Sequence, residues 1–581
     1  MTQVISTTED RAALRTGAAR TGGQLIVEQL EAEGVTTAYC VPGESYLEVL
    51  DALYDSAIRL VTCRHEGGAG YMAVADARLS GDVGVCLVTR GPGAANAMVA
   101  VHMAAKDATP LVLLVGLVPR ADVQRDAFQE FELSGWFAST TKAVLTIDTA
   151  DRVPELLSKA FGVARSGRPG PVVVGLPEDM LRDPAVGVGA VSAIRPLTRP
   201  APPAAVAELA ALVEDAERPL VVLGPMGWTP RTSLVVQAWA EARGLPVAVE
   251  YNALDLIDSD SPAFVGPLGF GRSELLADEL RTADLVIGIG SALGDVVTDS
   301  WELLPPDHPG TRIVTVLPET DPLSSVHANV LRISGTPEDV IEVAHALGAP
   351  EVATARALRA ARLRADLTQR REGARVEAAP LDLDAVFRRL DDVLDNDAII
   401  TWGAGNHATW GARFLSWHGY PSLLAPRNGS MGFGVPAAVA AAIRHPGRQV
   451  VSVAGDGCFL MNGQELAVAA AAGAAPLILV VNNSMYGTIR AHQEQRHPRR
   501  PSGTDLVNPD FAAFARAFGG HGEVVETTED FERALQRSLA AGVPAIIELR
   551  VTDGRLSPDA TIDSLRGDVI RGQRELAEAQ R

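Results

Sequence analysis

Short apolar runs bounded by Gly, Pro, Asn or Asp alternate through most of the chain with longer segments whose apolar positions recur at helical spacing. In the first third, Thr37–Val41, Arg59–Cys63, Val83–Thr89 and Leu111–Val115 read as strands. Gly23–Glu33, Gly68–Leu79 and Asn96–Ala105 read as helices, the first of them stopping at Gly34, a suitable C-cap residue. A buried strand within Gly167–Met180 closes this unit. Strands at Pro219–Leu223, Pro246–Val249, Leu285–Ile289 and Arg312–Leu317 form a second series. Ala398–Thr401, Val450–Val453, Leu477–Val481 and Ala545–Val551 belong to a third, whose pattern looks like the first. Strand–helix alternation of this kind predicts α/β architecture with three doubly wound parallel-sheet domains, each sheet covered on both faces.

Composition shifts mark the predicted boundaries. Residues 1–182 form the first domain after a polar lead to about Arg20, and 183–203, rich in Pro, Ala, Gly and Val, form a linker. The second domain covers 204–350. An Arg- and Ala-rich stretch, Ala353–Arg375, predicts a solvated helical connector within 351–380. The third domain covers 381–560, and 561–581 is predicted to be a polar tail.

The stretch Val450–Arg490 carries the clearest chemistry. A buried strand enters the turn Gly455-Asp456-Gly457, an Ala-rich helix follows, and a second apolar strand ends at Asn482-Asn483. A strand–turn–helix–strand unit sets the two strand ends side by side, so Asp456 and Asn483 meet at one edge of a parallel sheet. Both offer oxygen ligands of the kind Mg2+ takes when it also binds phosphate. The glycines admit backbone N–H groups and a helix N-terminus to a diphosphate.

Of the 581 residues 47% are apolar, so a large core is available, and the net charge of -21 provides no basic footprint for nucleic acid. Cys40, Cys63, Cys86 and Cys458 are scattered without metal-ligand spacing and lie in or beside apolar runs, which predicts buried reduced thiols and a cytoplasmic setting. Neither a secretory h-region nor a run long enough to span a membrane is evident, so no membrane association is predicted.

GDG followed at this distance by NN resembles the cofactor motif of thiamine-diphosphate (ThDP) enzymes, and the three-part order resembles their acetolactate synthase large-subunit-like members. The resemblance implies pyrimidine-binding, central and diphosphate-binding domains, with ThDP and Mg2+ as cofactors. Asp456, Asn483 and the carbonyl of Met485 would hold the metal. Gly455, Gly457, Cys458, Tyr486 and Gly487 would complete the diphosphate loop, while Gly405, Asn406 and His407 resemble the family's Gly-Gln-His. Glu66, in Arg64-His65-Glu66-Gly67-Gly68, matches the activating glutamate that hydrogen-bonds the aminopyrimidine and selects the tautomer able to take the thiazolium C2 proton. Met431 would be the apolar wedge under the cofactor, and the Gly429 carbonyl would accept from the 4'-amino group. Pro42 and Gly43 would line the pyrimidine side. Phe128 and Gln129, in Ala127-Phe128-Gln129-Glu130, would face the acyl pocket and the bound intermediate. Family sites lie between subunits, implying a homodimer or homotetramer in which Glu66 serves the partner's cofactor.

The implied reaction is decarboxylation of a pyruvate-like 2-oxo acid and transfer of the acyl anion to a carbonyl acceptor. The chain departs from acetolactate synthases where acceptor choice is made. Glu44 stands where they have a second glycine, and is a candidate proton relay. Ala292 replaces the arginine that grips the second carboxylate, and His492 falls where they carry a selective Trp. Arg90, in Thr89-Arg90-Gly91-Pro92-Gly93, either supplies the missing positive charge or is a surface-loop arginine. A non-oxidative decarboxylase and an aldehyde-accepting carboligase therefore stay open, with a catalytically silent scaffold or regulatory subunit as the reading from another class. FAD is left open too: the glycine-rich loop Gly266–Gly271 could approach a dinucleotide, but the family's GTxxAN-like continuation is missing.

Overall fold

The structure is a computed structural model that describes residues 19–195, 201–307, 310–318, 326–327, 330–346, 354–373 and 380–567. The chain divides into two compact units, Met1–Leu197 and Thr198–Arg581.

In the first unit six parallel strands lie in the order Arg59–Thr62, Thr37–Cys40, Gly84–Val88, Leu111–Leu117, Pro171–Pro177, Ala143–Thr146. The two central strands, Leu111–Leu117 and Pro171–Pro177, are apolar almost throughout because helices cover both faces. The first helix, Gly22–Ala32, opens with a reciprocal capping box between Thr21 and Gln24, and Gly34 follows it at φ 87°. The helix expected over Gly68–Leu79 runs from Glu66 to Ser80: the His65 side chain accepts from Gly67 N at its start, and Gly81 takes the left-handed C-cap. Glu66 is thus the first helical residue.

Part of the predicted linker is packed on this unit. Pro184–Ala185 pairs antiparallel with Arg20–Thr21, and Gln29 exchanges hydrogen bonds with the backbone of Val191, 3.0 Å from Nε2 and 2.8 Å to Oε1. The remainder of that prediction, at 196–200, lies outside the described residues, as do the lead up to residue 18 and the tail beyond 567.

The second unit contains two further six-stranded parallel sheets. One has the order Phe264–Leu268, Val247–Glu250, Pro219–Leu223, Leu285–Ile289, Arg312–Leu317, Val330–Ser334. The other runs Leu423–Leu424, Ile399–Trp402, Val450–Gly455, Leu477–Asn482, Ala545–Arg550, His521–Val525, which repeats the strand order of the first unit. One apolar core continues through both sheets. Buried Asp255 accepts from Ser422 N and Leu423 N, each at 2.9 Å, and so ties the sheets together.

The predicted connector helix forms over Thr354–Glu372, with one side packed and the other exposed to solvent. Leu363 is buried, and Arg356 donates to the carbonyls of Val213, Glu214 and Ala216, ending the orphaned C-terminus of the helix Pro203–Asp215. The predicted tail likewise begins as structure. Ala560–Thr561 pairs with Arg555–Ser557, and Arg566 forms a 2.7 Å ion pair with the fully buried carboxylate of Glu494.

Candidate active site

Doubly wound sheets bind ligands where the winding direction reverses, at the carboxyl ends of the strands. In the third sheet that point lies between Ile399–Trp402 and Val450–Gly455. A cavity of about 280 Å³ opens there, lined by Gly405, Asn406, His407, Gly429, Met431, Gly455, Asp456, Gly457, Cys458, Asn483, Met485, Tyr486 and Gly487. Every residue of the third domain that the sequence assigns to cofactor or metal binding is therefore brought to one cradle.

The glycines are there for space. A Cβ on Gly455 would stand 2.9 Å from His407 Nδ1, one on Gly457 would stand 2.5 Å from Tyr486 Cε1, and one on Gly403 would meet Cys458 Sγ at 2.5 Å. The helix expected after the GDG turn is broken into Asp456–Asn462, a 3-10 turn and Leu466–Ala472, so its first segment can open directly at Asp456. The loop after Leu477–Asn482 is bent by Ser484, at φ 53°, and held by Tyr486 N donating to Thr504 O and Leu506 N donating to Ser484 O.

Two features of the cradle ask for a ligand. Asp456 is 2% exposed and, among the described residues, has no ion pair. Burial pushes its carboxyl above the usual range, while hydrogen bonds from Gly457 N and the Asn508 amide at 2.7 Å pull the other way. His407 is buried with Nε2 unpartnered, and burial lowers its pKa to about 4. An anionic oxygen donor with amide and carbonyl oxygens, beside glycine turns and an imidazole whose Nε2 is unpartnered, fits a hard cation carried with a diphosphate. Cys458 is no such donor: it accepts from Gly432 N at 3.2 Å, and burial pushes its thiol up to about 11. Cys40, Cys63 and Cys86 are buried as well.

Several groups in or behind the cradle wall had no motif to announce them. Asn508 donates to Asp456 Oδ2 and, at 2.9 Å, to Asn482 Oδ1, which joins the two strand ends. Thr488 Oγ1 donates to Asn406 Oδ1 at 2.9 Å and accepts from Asn406 N at 3.2 Å, fixing that side chain. Arg555 and Leu556 close one side of the cavity. Asn508-Pro509-Asp510 ahead of the helix Phe511–Ala517 reads only as an N-terminal capping signal, with Asp510 accepting from Ala513 N.

In the first unit the reversal lies between Thr37–Cys40 and Gly84–Val88, where a Cβ on Gly43 would stand 2.4 Å from Thr89 Cβ. Pro42 and Gly43 lead into the 3-10 turn Glu44–Tyr46. Glu66 accepts a 2.9 Å hydrogen bond from Asn96 Nδ2. Arg90 is neither a surface arginine nor an unpaired cation. It is buried, donating to Glu44 Oε1 at 2.7 Å and to Glu178 Oε2 at 2.8 Å, because a guanidinium taken out of water needs its charge balanced. Phe128 stands 74% exposed on this unit and lines no described cavity, whereas Gln129, at φ 62°, borders a cavity shared with Arg90. His492 is exposed on the helix Gly487–Arg496, away from the cradle lining.

The central sheet has its own reversal, between Pro219–Leu223 and Leu285–Ile289. Trp228 fills it. The indole Nε1 donates to Gly224 O at 2.6 Å, and a Cβ on Gly290 would meet that nitrogen at 2.7 Å. The indole nitrogen thus stands against the backbone at the ends of both strands. Ala292 follows in a loop tied to buried Glu250, which accepts from Ser291 Oγ at 2.7 Å and pairs with Arg427.

Residues 20–136 match the thiamine pyrophosphate enzyme N-terminal TPP binding domain, 206–347 the central domain and 403–549 the C-terminal TPP binding domain. The chain belongs to the thiamine pyrophosphate enzyme family. Within it, the chain is 32% identical to the catabolic acetolactate synthase of Raoultella terrigena over 543 residues, covering 91% of this chain and 95% of that protein. It is 30% identical to the acetolactate synthase isozyme 2 large subunit of Escherichia coli K12 over 539 residues, 92% and 96% of the two chains. It is 31% identical to the probable chloroplastic acetolactate synthase 2 of Oryza sativa subsp. japonica over 570 residues, 93% and 85% of the two.

Proposed function

We propose that the protein uses ThDP and Mg2+ to decarboxylate a pyruvate-like 2-oxo acid and to join the remaining acyl unit to a carbonyl acceptor, as the names of its acetolactate synthase relatives suggest. The C1–C2 bond of the donor breaks and CO2 leaves. The donor's carbonyl carbon then bonds to the acceptor's carbonyl carbon, and the acceptor oxygen takes one proton. The bound cofactor supplies the electron sink that holds the pair freed by loss of CO2.

The observation that carries this reading is the buried Asp456 carboxylate, without an ion pair among the described residues, in a cradle also lined by Asn483, Met485 and His407. Asp456, the Asn483 amide oxygen and the Met485 carbonyl hold the metal. Gly405, Asn406, His407, Gly455 and Gly457 receive the diphosphate, and Gly429 and Met431 receive the ring system. Glu66 holds the proton that fixes the cofactor's reactive tautomer. Glu44, oriented by Arg90, relays a proton at the substrate, and Gln129 faces it from the neighbouring loop. Phe128, exposed on its own unit, is covered in an assembly of at least two copies, which also carries Glu66 to the cofactor of a partner.

We assign pyrimidine binding to 1–182, diphosphate and metal binding to 381–560, and no flavin to the central domain 204–350, supported by Trp228 in its crevice. The four buried thiols suit a cytoplasmic setting, and no described helix is long and apolar enough to cross a membrane. Incubation with pyruvate, ThDP and Mg2+ should release CO2 and form a carbon–carbon bonded product. Release of CO2 with acetaldehyde alone would make the protein a simple decarboxylase, and no release from any 2-oxo acid would refute the proposal.

A further inference from the structure

Beside the cradle lies a second cavity of about 220 Å³, walled by Tyr251, Phe270, Trp402, Ala412 and Pro426. It shares Gly405, Asn406, Gly429 and Thr488 with the cradle, so a group held here is next to whatever the cradle holds. Among the described residues none that lines it is charged. Both threonine hydroxyls are occupied: Thr409 donates to Asn406 O at 2.6 Å and Thr488 to Asn406 Oδ1 at 2.9 Å. Its size falls below that of ordinary small-molecule sites and suits a side chain better than a whole cofactor.

The outer wall is placed deliberately. Gly269 and Gly271 sit at φ 91° and 82° on either side of Phe270, a backbone path other residues avoid. That path holds the ring 58% exposed and edge-on to Tyr251, with centroids 4.9 Å apart. An exposed aromatic costs solvation free energy unless something covers it. At the mouth of an uncharged cavity beside a reaction centre, an apolar substituent is what covers it. A carboxylate would lose its water here with no cation to replace it.

We propose that this cavity is a subsite for an uncharged branched-alkyl or aryl substituent of a carbonyl substrate, which rests on the function proposed above and makes the protein's preferred substrate bulkier and more apolar than pyruvate alone. The substituent enters either on the 2-oxo acid donor or on the acceptor, and two arms separate these sources. In one, 4-methyl-2-oxopentanoate replaces pyruvate as donor. In the other, benzaldehyde replaces 2-oxobutanoate as acceptor with pyruvate as donor. Each added buried methylene is worth about 0.8 kcal/mol, so kcat/KM in one arm should exceed its small or charged counterpart by about tenfold or more.

Ala412→Leu fills the cavity from a helix face outside the cradle and should abolish that advantage while CO2 release from pyruvate stays within about twofold. Phe270→Ala, on the surface loop, should lower the same ratio, with unchanged thermal melting as the folding control. Binding is read separately from turnover by titrating the ThDP–Mg2+ holoenzyme with acetophenone and following tryptophan fluorescence. Saturable quenching, weakened about tenfold by Ala412→Leu, supports the subsite even in a protein that releases no CO2, the result that would refute the function instead. No gain in kcat/KM over the small or charged counterpart in either arm, or acetophenone quenching that does not saturate or that ignores Ala412→Leu, overturns the subsite.

Discussion

Asn508 Nδ2 donates to Asp456 Oδ2 at 2.7 Å, and the same amide nitrogen donates to Asn482 Oδ1 at 2.9 Å. The carboxylate proposed to face the metal is therefore aimed from behind by a residue of a separate loop. Groups that orient a metal ligand in this way typically change metal affinity by about 10–100-fold when lost. Asn508→Ala should raise the half-saturating Mg2+ concentration by about tenfold or more. The checking measurement is a Mg2+ titration of ThDP binding, and an unchanged midpoint would remove Asn508 from the site.

Much of the cradle is legible in the sequence because its parts are local. A strand ending in Gly455-Asp456-Gly457 and another ending in Asn482-Asn483 each carry their role in a few adjacent residues. Asn508 was not legible, since its place depends on the 504–506 segment pairing with the Ser484–Tyr486 loop, a contact between irregular segments with no periodicity to reveal it. Arg90 was legible as chemistry and misread as an environment. Its partners Glu44 and Glu178 follow different strands, and only the sheet order makes them neighbours. The packing of Thr354–Glu372 was hidden for a similar reason: Arg-rich composition suggests solvent, while Arg356 caps a helix more than a hundred residues earlier in the chain.

Glu66 begins a helix and accepts from Asn96, a bond that a glutamine at position 66 can also accept. Glu66→Gln should therefore fold and bind ThDP normally. Loss of a proton-transfer partner costs about 10²–10⁴-fold in rate, so turnover and C2 proton exchange of bound ThDP should fall together by that order. Exchange at the rate of the unaltered protein would show that Glu66 does not activate the cofactor.

His407 is held neutral by burial, with its pKa lowered from 6.5 to about 4. Between those values the unfolded chain binds more protons than the folded one, so stability rises with pH. The contribution is complete above pH 6.5 and is lost as pH falls toward 4, about 3 kcal/mol over the range at most. Urea midpoints of the cofactor-free protein should drop across this window, and the drop should shrink in His407→Gln. Parallel curves for the two proteins would place the titration elsewhere.

Trp228 occupies the central crevice with its Nε1 on Gly224 O. Purified protein should show no flavin absorbance band, and added FAD should leave its melting temperature unchanged. A stoichiometric yellow chromophore would mean that the indole swings out of the crevice.

Glu494 is fully buried in the helix that follows the NNSMYG loop, and its pKa is lowered to about 2, chiefly by the hydrogen bonds from Arg566, with Arg499 N and Arg490 adding to them. A carboxyl with a depressed folded pKa stabilises the fold above its unfolded value, near 4.5, and loses that contribution as pH falls toward 2. At neutral pH the clamp is therefore complete. It fastens the segment whose Arg555 and Leu556 line the cradle, and Arg555 is itself anchored on buried Asp384 at 3.0 Å. Arg566→Ala removes one half of the clamp and leaves a buried charge less well paired, so local opening of 553–567 becomes easier than opening of the sheet behind it. Chymotrypsin should cut that segment faster in the variant, and ThDP should protect it, because the ligand binds only the closed form. The half-saturating ThDP concentration should rise several-fold with kcat little changed. Faster proteolysis without weaker ThDP binding would mean that the segment covers the cradle without helping to hold what is in it.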